Sequence, residues 1–252
     1  ISKFLNSKVD RKWFFNIIIV DSLENFKLII QNFNHHNFDF GGYYVIVFEE
    51  AKQQEVHEIF QKLWDFYIYN VNLIRRQNDT IHVETFIPFS TSGCNRTNPV
   101  EIAKYQNGKF IIKPQQFFPE KFQNFHKCTL QVTTFESLAP AVFRDNFRNG
   151  SYRLHGRDVS IFETLAETFN FKTNITYLTP FGSWGILFPN GSATGAMGKV
   201  IRREADFSIG NLNLKYDRAQ AMAFSVGYYL ETLVFIIPPG KEMSSLTKLI
   251  RP

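Results

Sequence analysis

Residues 16–48 read NIIIVDSLENFKLIIQNFNHHNFDFGGYYVIVF, and this stretch decides the fold of the first half of the chain. The apolar run at residues 16–20 is typical of a strand that is covered on both faces. Ser22 can cap the helix that follows. The inward stripe of that helix comprises Phe26, Ile29, Ile30 and Phe33. After the glycines at positions 41 and 42, residues 43–48 predict a second strand, which completes a β-α-β unit.

The same alternation continues along the chain. Residues 56–67 carry apolar side chains at helical spacing, and Trp64 among them is predicted to lie in the core. Further strands are predicted near residues 71–74 and 81–87, so the first half is expected to form a parallel sheet with helices on its faces. Scattered Gly and Pro in residues 91–119 predict a long loop containing one short strand, at residues 109–112.

A new pattern begins around Cys128. Strands are predicted at residues 130–135, 174–178, 206–210 and 230–237. Asp158 is a plausible N-cap for a helix, and a second helix is expected after Gly195. The predicted fold class is therefore α/β, with one domain at residues 1–127 and another at residues 128–252.

Composition and charge narrow the class of protein. The 252 residues are 44% hydrophobic, enough to bury a core. The net charge is +5, but no run of five like charges occurs, which argues against a nucleic-acid partner. The longest apolar stretches are far shorter than the ~20 residues that a bilayer span needs. Because the chain starts and stops in mid-pattern, we expect it to be a fragment of a longer protein.

Sequons and cysteines indicate a secreted or lumenal compartment. The Asn-x-Ser/Thr motif occurs at Asn78, Asn95, Asn149, Asn174 and Asn190. The cysteine pair, Cys94 and Cys128, fits one disulfide in an oxidising compartment, and two free buried thiols are the alternative.

No signature of an enzyme is complete. Residues 191–195 have Ala where the nucleophile elbow needs Ser, and His57-Glu58 lacks a second His because position 61 is Gln. The pair His35-His36 lies in an Asn-rich turn and is interpreted as exposed rather than metal-bound. We therefore predict no enzymatic activity, no cofactor and no metal, and keep a secreted hydrolase as an alternative.

Residues 195–225, GAMGKVIRREADFSIGNLNLKYDRAQAMAFS, resemble the first ligand-binding segment of ionotropic glutamate receptors. The matching residues are Ala205-Asp206, Arg218 and Phe224-Ser225. Residues 130–135 and 158–171 resemble the opening strand and first helix of that domain. Residues 244–252 resemble the helix that leads into the first membrane span.

The first half resembles a narrower group, the divergent arthropod ionotropic receptors of the chemosensory branch. The matching features are Leu63-Trp64, Pro88-Phe89, Cys94, and Phe118-Pro119 leading to Cys128. The two resemblances together cover nearly the whole chain.

The resemblance implies the extracellular ligand-binding portion of a ligand-gated cation channel used as a chemosensory receptor. Residues 128–252 would form the first lobe of a clamshell similar to periplasmic binding proteins, with the second lobe and pore in segments missing here. The implied partners are a small-molecule ligand, co-receptor subunits of a tetrameric channel, and the membrane. Alternatively, the residues before Cys128 form an interaction module without a ligand of their own.

The resemblance also implies roles for four residues. Arg218 would bind a ligand carboxylate through two parallel hydrogen bonds. The alternative is a solvated arginine or an ordinary ion pair, for example with Asp217 or Asp206. The family's Pro and Thr, which hold the ligand's amino group, fall on Asn211 and Lys215. Because Lys cannot accept a hydrogen bond from an ammonium, an acidic or polar ligand without one is expected.

The family also has an aromatic residue that packs over the ligand. In this chain it aligns with Phe181, next to Gly182. A plain core position is the alternative for Phe181.

Overall fold

A computed structural model describes residues 13–33, 38–136, 142–147, 150–178 and 182–228 of the chain. Several features predicted from the sequence lie outside these residues: the His35-His36 turn, the sequon at Asn149, the aromatic Phe181, the strand at 230–237 and the segment 244–252.

The first half forms a six-stranded mixed sheet with two helices. Its elements are β1 (Trp13–Ile19), α1 (Leu23–Ile30), β2 (Phe38–Val47), α2 (Gln53–Trp64), β3 (Val71–Gln77), β4 (Thr80–Phe86), β5 (Phe89–Ser90), β6 (Gly93–Cys94), β7 (Pro99–Gln106) and β8 (Lys109–Ile112). The strand order is β1-β2-β3-β4-β7-β8, and β5 pairs separately with β6. The predicted β-α-β-α-β alternation is confirmed over β1 to β3, which are parallel.

Antiparallel pairing begins at β4, contrary to the expectation of a parallel sheet. Only Asn78 and Asp79 separate β3 from β4, and a two-residue connection can join only antiparallel strands. The prediction of a loop across residues 91–119 also missed β7, which pairs with β4 and returns through Asn107-Gly108 into β8. Its sequence mixes charged and small apolar residues and starts with Pro99, so its periodicity is weak.

Both helices pack on one face of this sheet. The connections β1-α1-β2 and β2-α2-β3 join neighbouring parallel strands, and each new strand is added on the same side of the one before it. Because such connections are right-handed, both helices lie on the same face of the sheet. The core between them comprises Ile18, Phe26, Ile30, Tyr44, Ile46, Val56, Ile59, Phe60, Leu63 and Leu73. The prediction that β1 is covered on both faces is therefore wrong, because Phe15, Ile17 and Ile19 are 71%, 74% and 75% exposed. Ile29, expected in the inward stripe of α1, is also exposed.

The second half is built around three parallel strands. Its elements are β9 (Thr129–Thr134), β10 (Phe143–Asn146), β11 (Tyr152–His155), α3 (Arg157–Thr168), β12 (Lys172–Tyr177), α4 (Gly195–Ile201), β13 (Phe207–Ser208) and α5 (Tyr216–Ala221). The order β12-β9-β13 is wholly parallel, and β10 and β11 form a separate hairpin. Helix α3 begins one residue before Asp158 with Gly156 as its N-cap, so Asp158 is not the cap that the sequence predicted.

A disulfide and a cluster of aromatic rings join the two halves. Cys94, the last residue of β6, is bonded to Cys128 just before β9. The rings include Trp64, which also borders the first core, and Phe89, Phe122, Phe125 and Phe171. A disulfide is therefore present, and Trp64 packs against both halves.

The segment between β8 and β9 lies across the open face of the sheet. The Phe118 ring packs 4.8 Å from the ring of Tyr43, measured between centroids. Further along, the buried Lys121 donates from Nζ to the carbonyl of Tyr69 at 2.6 Å and to Thr85 Oγ1 at 2.7 Å. No carboxylate in the described ranges forms a salt bridge with this ammonium, and burial lowers the pKa of Lys121 to about 7.

This buried amine predicts a specific pH dependence of stability. The pKa of Lys121 is about 7 in the folded chain, against 10.5 for an exposed lysine. Between these values the unfolded chain binds more protons, so the Lys121 contribution to stability rises with pH, by at most about 1.4 kcal/mol per unit. The free energy of unfolding of the chain relative to Lys121→Met should therefore increase from pH 7 to pH 10. Denaturant titrations of both proteins across this range would measure it, and a difference that is flat or falls with pH would contradict it.

Candidate functional site

A group of aromatic and polar residues lies where the parallel strands of the second sheet end. Strands β9 and β13 finish beside each other, and Thr134 Oγ1 donates to the carbonyl oxygen of Ile209 at 2.9 Å. In open α/β sheets, ligands bind outside the carboxyl ends of the strands. We call the group Phe135, Trp184, Gly210, Asn211 and Arg218 the carboxyl-edge crevice.

Trp184 is at the centre of this crevice. Its Nε1 donates to the carbonyl oxygen of Gly210 at 2.7 Å, and its ring meets Phe135 edge-on with centroids 5.8 Å apart. The guanidinium carbon of Arg218 lies 5.9 Å from the centroid of the indole ring, within cation–π range. The indole therefore connects the end of β13 to the one crevice residue that carries a permanent charge.

A close approach of two backbone segments holds Trp184 in place. The next residue, Gly185, has φ +91, and a Cβ there would lie 1.8 Å from the carbonyl oxygen of Thr194. Gly195 has φ +60, and a Cβ there would lie 2.5 Å from the carbonyl oxygen of Ser183. Only glycine fits both positions, so this pair determines where the loop carrying Trp184 enters the crevice.

Arg218 is half-buried in the first turn of α5. Its Nη1 donates to the carbonyl oxygen of Asn213 at 3.1 Å. Within the described ranges no salt bridge joins Arg218 to Asp217 or Asp206, and the Asp206 carboxylate instead accepts the backbone N–H of Gln131 at 2.7 Å. The alternative of an ordinary ion pair with these two residues is therefore not what the structure has.

Asn211 and Lys215, which the resemblance also suggested, lie in different surroundings. Asn211 has a left-handed backbone (φ 56), and its N–H donates to Asp158 Oδ2 at 2.7 Å. Its side-chain oxygen accepts from Arg157 Nη2 at 3.3 Å. Lys215 is the exposed N-cap of α5, one turn before Arg218. The structure therefore places Asn211 directly after Gly210, which accepts from Trp184, and Lys215 exposed at the start of the helix that carries Arg218.

A buried carboxylate supports this arrangement. Asp158 is only 3% exposed and also binds Arg157 Nε through Oδ1 at 3.1 Å. The Tyr228 ring lies 5.7 Å from the Arg157 guanidinium carbon, and burial, then the negative charge of Asp158, raises the pKa of Tyr228 to about 12. This cluster of Asp158, Arg157, Asn211 and Tyr228 holds the chain at the exit of β13.

Sequence reasoning missed two parts of the site. It chose Phe181 as the ligand-covering aromatic, which lies outside the described residues, and overlooked Trp184. The signal was present, because an aromatic residue followed by glycine occurs twice, at residues 181–182 and 184–185. The Asp158 cluster had no local signal, since its members are scattered over some 70 residues of sequence.

The sequons lie in different settings. Asn78, Asn95 and Asn190 are exposed and lie in turns or loops. Asn174 is exposed as well, but it lies in β12, where its Nδ2 donates to Gln131 Oε1 at 2.7 Å. In the portions of the chain that are described, no trio of His, Cys, Asp or Glu could hold a metal ion, and the longest helices have 12 residues, too few to traverse a bilayer.

Two family profiles match this chain. Residues 2–124 match "Putative ionotropic receptor, ligand binding domain", and residues 128–240 match "Ligated ion channel L-glutamate- and glycine-binding site". The matches are consecutive and together take in nearly the whole chain. Residues 2–124 and residues 128–240 are thus each similar to a ligand-binding segment of ionotropic receptors.

Curated relatives are consistent with this similarity. Glutamate receptor ionotropic, kainate 5, from Mus musculus is 33% identical over 105 residues, 41% of this chain and 11% of that receptor. Glutamate receptor ionotropic, delta-1, from Homo sapiens is 27% identical over 124 residues, 49% of this chain and 12% of that receptor. The chain thus spans about a tenth of the length of these relatives. They are receptors rather than enzymes, in agreement with the prediction of no enzymatic activity.

Solved structures of similar sequence include the AvGluR1 ligand binding domain. Its complex with methionine is 23% identical at a TM-score of 0.32, covering 40% of this chain and 37% of that domain. Its complex with glutamate is 24% identical at a TM-score of 0.31, covering 39% of this chain and 36% of that domain.

The buried carboxylate yields a stability prediction. Asp158→Ala should lower the free energy of unfolding by roughly 3–5 kcal/mol, because it removes the carboxylate that accepts from Arg157 Nε and from the Asn211 N–H. Asp145→Ala is the matched control: Asp145 pairs with His155 on the exposed hairpin, so its loss should cost less than about 1 kcal/mol. Chemical denaturation of the three proteins would test this, and equal losses would show that Asp158 does not have the supporting role given above.

Proposed function

We propose that this chain is the extracellular ligand-binding portion of a ligand-gated cation channel that serves as a chemosensory receptor. In this proposal residues 1–127 form an amino-terminal domain and residues 128–252 the first lobe of a clamshell. The main support for this proposal is the position of the Arg218 guanidinium beside the Trp184 ring at the carboxyl-edge crevice. The family matches to residues 2–124 and 128–240, which meet at the proposed boundary, support it.

The ligand that we propose is a small acidic or polar molecule that lacks an ammonium group. Arg218 supplies a planar donor suited to a carboxylate, and Lys215 adds positive charge one turn away. In the same crevice the Gly210 carbonyl already accepts from Trp184, which reduces its capacity to accept from an ammonium. The Trp184 ring offers an apolar wall for the body of the ligand. These contacts favour a receptor tuned away from glutamate.

In the proposed mechanism the ligand binds between this lobe and a second lobe from a later segment of the protein. Closure of the two lobes excludes water, which strengthens the pairing of Arg218 with a carboxylate. The motion then pulls on the chain after Ser244 and opens a pore formed with co-receptor subunits of a tetramer. The energy for opening comes from the ligand's higher affinity for the closed arrangement.

An extracellular location predicts which sequons carry glycans. Asn78, Asn95 and Asn190 lie in exposed turns or loops and should be modified, whereas Asn174 is engaged with Gln131 within β12 and should not. Mass spectrometry of the chain secreted from eukaryotic cells, before and after removal of N-glycans, would measure occupancy. Glycan at Asn174, or none at the other three, would contradict the prediction.

The test of the proposed function is current from the full-length receptor co-expressed with a broad co-receptor, across a panel of acids, amines and amino acids. Acids should open a current in the wild type. Arg218→Ala should raise the half-maximal acid concentration at least about tenfold, since a charge-assisted hydrogen bond contributes roughly 1.5–3 kcal/mol. Arg218→Lys should restore only part of the response, because an ammonium lacks the fork geometry.

The matched control is Arg76→Ala, which removes an exposed arginine from the first sheet, where Arg76 pairs with Asp79. It should leave the acid response unchanged at equal surface expression. If the Arg218 variants respond like the wild type, or if amines alone open the current, the proposed ligand class is wrong.

A further inference from the structure

A groove of about 750 Å³ lies at the carboxyl ends of β1 and β2, beside α1. In open α/β sheets, ligands bind outside the carboxyl ends of the strands, and ligand sites commonly have volumes of about 300–1,000 Å³. The groove belongs to the first sheet, whereas the carboxyl-edge crevice belongs to the second. We call it the β1-α1 groove. The exposed apolar and acidic residues that line it are Ile19, Asp21, Leu28, Ile29, Glu49 and Glu50.

The apolar side chains of the β1-α1 groove are open to solvent. Leu28 and Ile29 are 59% and 37% exposed, whereas Phe26 and Ile30 on the inner side of α1 are buried. Ile19, at the end of β1, is 75% exposed. The hydrophobic core therefore leaves these three side chains available. Because each Å² of apolar surface removed from water contributes roughly 25 cal/mol, a ligand with an apolar body is stabilised by covering them.

The acidic side chains of the groove lie apart from any basic side chain that lines it. Among the described lining residues there are three carboxylates, Asp21, Glu49 and Glu50, and no Lys, Arg or His. No salt bridge in the described ranges engages any of the three. Asn25 Nδ2 donates to Asp21 Oδ1 at 2.6 Å, which lowers the pKa of Asp21 below its usual value and keeps this carboxyl ionised. The groove therefore has a negative charge that attracts a cation.

The arrangement of these carboxylates favours an organic cation over a metal ion. A bound Ca²⁺ ion needs about six to eight oxygen ligands that converge on one point. In the parts of the chain that the structure describes, no group of three His, Cys, Asp or Glu side chains could hold a metal ion. An organic ammonium needs no such convergence, since its charge is attracted by separate carboxylates while its carbon atoms lie on apolar side chains.

We infer that the β1-α1 groove is a second ligand site, which binds an organic ammonium with an apolar body. The ammonium lies among Asp21, Glu49 and Glu50, and the apolar body lies against Leu28 and Ile29. This preference is opposite to that of the carboxyl-edge crevice, for which we propose an acidic or polar ligand without an ammonium. The inference does not rest on the proposed channel function, because binding to the groove needs neither a second lobe nor a pore.

Isothermal titration calorimetry of the 252-residue chain with hexylamine and hexanol tests the site. The two probes have the same apolar body and differ in charge. Hexylamine should bind at least about fivefold more tightly than hexanol, since three exposed carboxylates each add a modest attraction. Raising the salt concentration from about 50 to about 500 mM should reduce this difference, because salt screens exposed charges. Absence of hexylamine binding, or equal affinities for the two probes, would overturn the inference.

Substitutions in the lining separate the acidic and apolar contributions. Asp21→Asn combined with Glu49→Gln and Glu50→Gln should weaken hexylamine binding to about the level of hexanol. Leu28→Gln should weaken the binding of both probes, because it removes part of the apolar surface. These side chains are exposed, so the variants should remain folded, and circular dichroism of each variant checks this. If Leu28→Gln leaves both affinities unchanged, the apolar body does not lie in the groove and the inference is wrong.

The matched control removes the same number of exposed carboxylates outside the groove, through Asp65→Asn, Glu163→Gln and Glu167→Gln. It should leave hexylamine binding unchanged. An equal loss in the control and in the groove variant would show that the amine responds to the net charge of the chain rather than to this site. Ca²⁺ at about 1 mM should not displace hexylamine, and displacement would identify a metal site and contradict the choice of an organic cation.

Discussion

The joint between the two sheets is the constraint on which the rest of the structure depends. The Cys94–Cys128 disulfide closes a segment of 34 residues and attaches the β5-β6 hairpin to the start of β9, the central strand of the second sheet. Closing a segment of this length removes conformational freedom from the unfolded chain. Trp64, Phe122 and Phe125 pack in the cluster that contains the buried Cys128, whereas Cys94 is exposed. The position of β9, and with it the crevice at its carboxyl end, is thereby tied to the first sheet.

The joint between the two sheets also contains charged side chains, Lys121 and Arg203. Lys121 is buried between the first sheet and the connecting segment, where backbone and hydroxyl oxygens replace water and the Phe86 ring lies 4.6 Å from its ammonium. A second bridge is formed by Arg203, whose guanidinium carbon lies 4.9 Å from the Tyr67 ring of the first half. The two halves are therefore joined by packed aromatic rings and buried hydrogen-bond donors rather than by a flexible linker.

At the crevice, two kinds of arginine illustrate how surroundings determine function. Arg157 is held by the buried Asp158 and by Asn211, so its charge is used to organise the chain. Arg218 is held by one backbone carbonyl and stands against the Trp184 ring at the crevice wall. The chemistry of the side chain is the same, but a neutralised arginine positions its neighbours, whereas one facing an aromatic wall suits a ligand carboxylate. This contrast is the physical basis for proposing that Arg218 recognises the ligand.

The sequence by itself determined the local elements. Apolar spacing placed β1, α1, α2, β3 and β12 within a few residues, because a strand or helix buries side chains at its own period. It missed β7, whose mixed composition has no clear period, and it could not foresee that β4 turns antiparallel. The motif around Arg218 also pointed to the carboxyl end of β13, since that stretch resembles a known family over consecutive residues.

Only the tertiary structure decided which surfaces are covered and which side chains meet. The run at residues 16–20 looks the same whether one face or both are buried, because coverage depends on where α1 and α2 cross the sheet. Trp184 can contact Gly210 and Arg218 because the backbone at Gly185 lies directly against the backbone at Gly195. Asp158 likewise looked like a helix cap until residues more than 50 positions away supplied its partners. Periodicity reports burial along one element, whereas a site is assembled from elements that are distant in sequence.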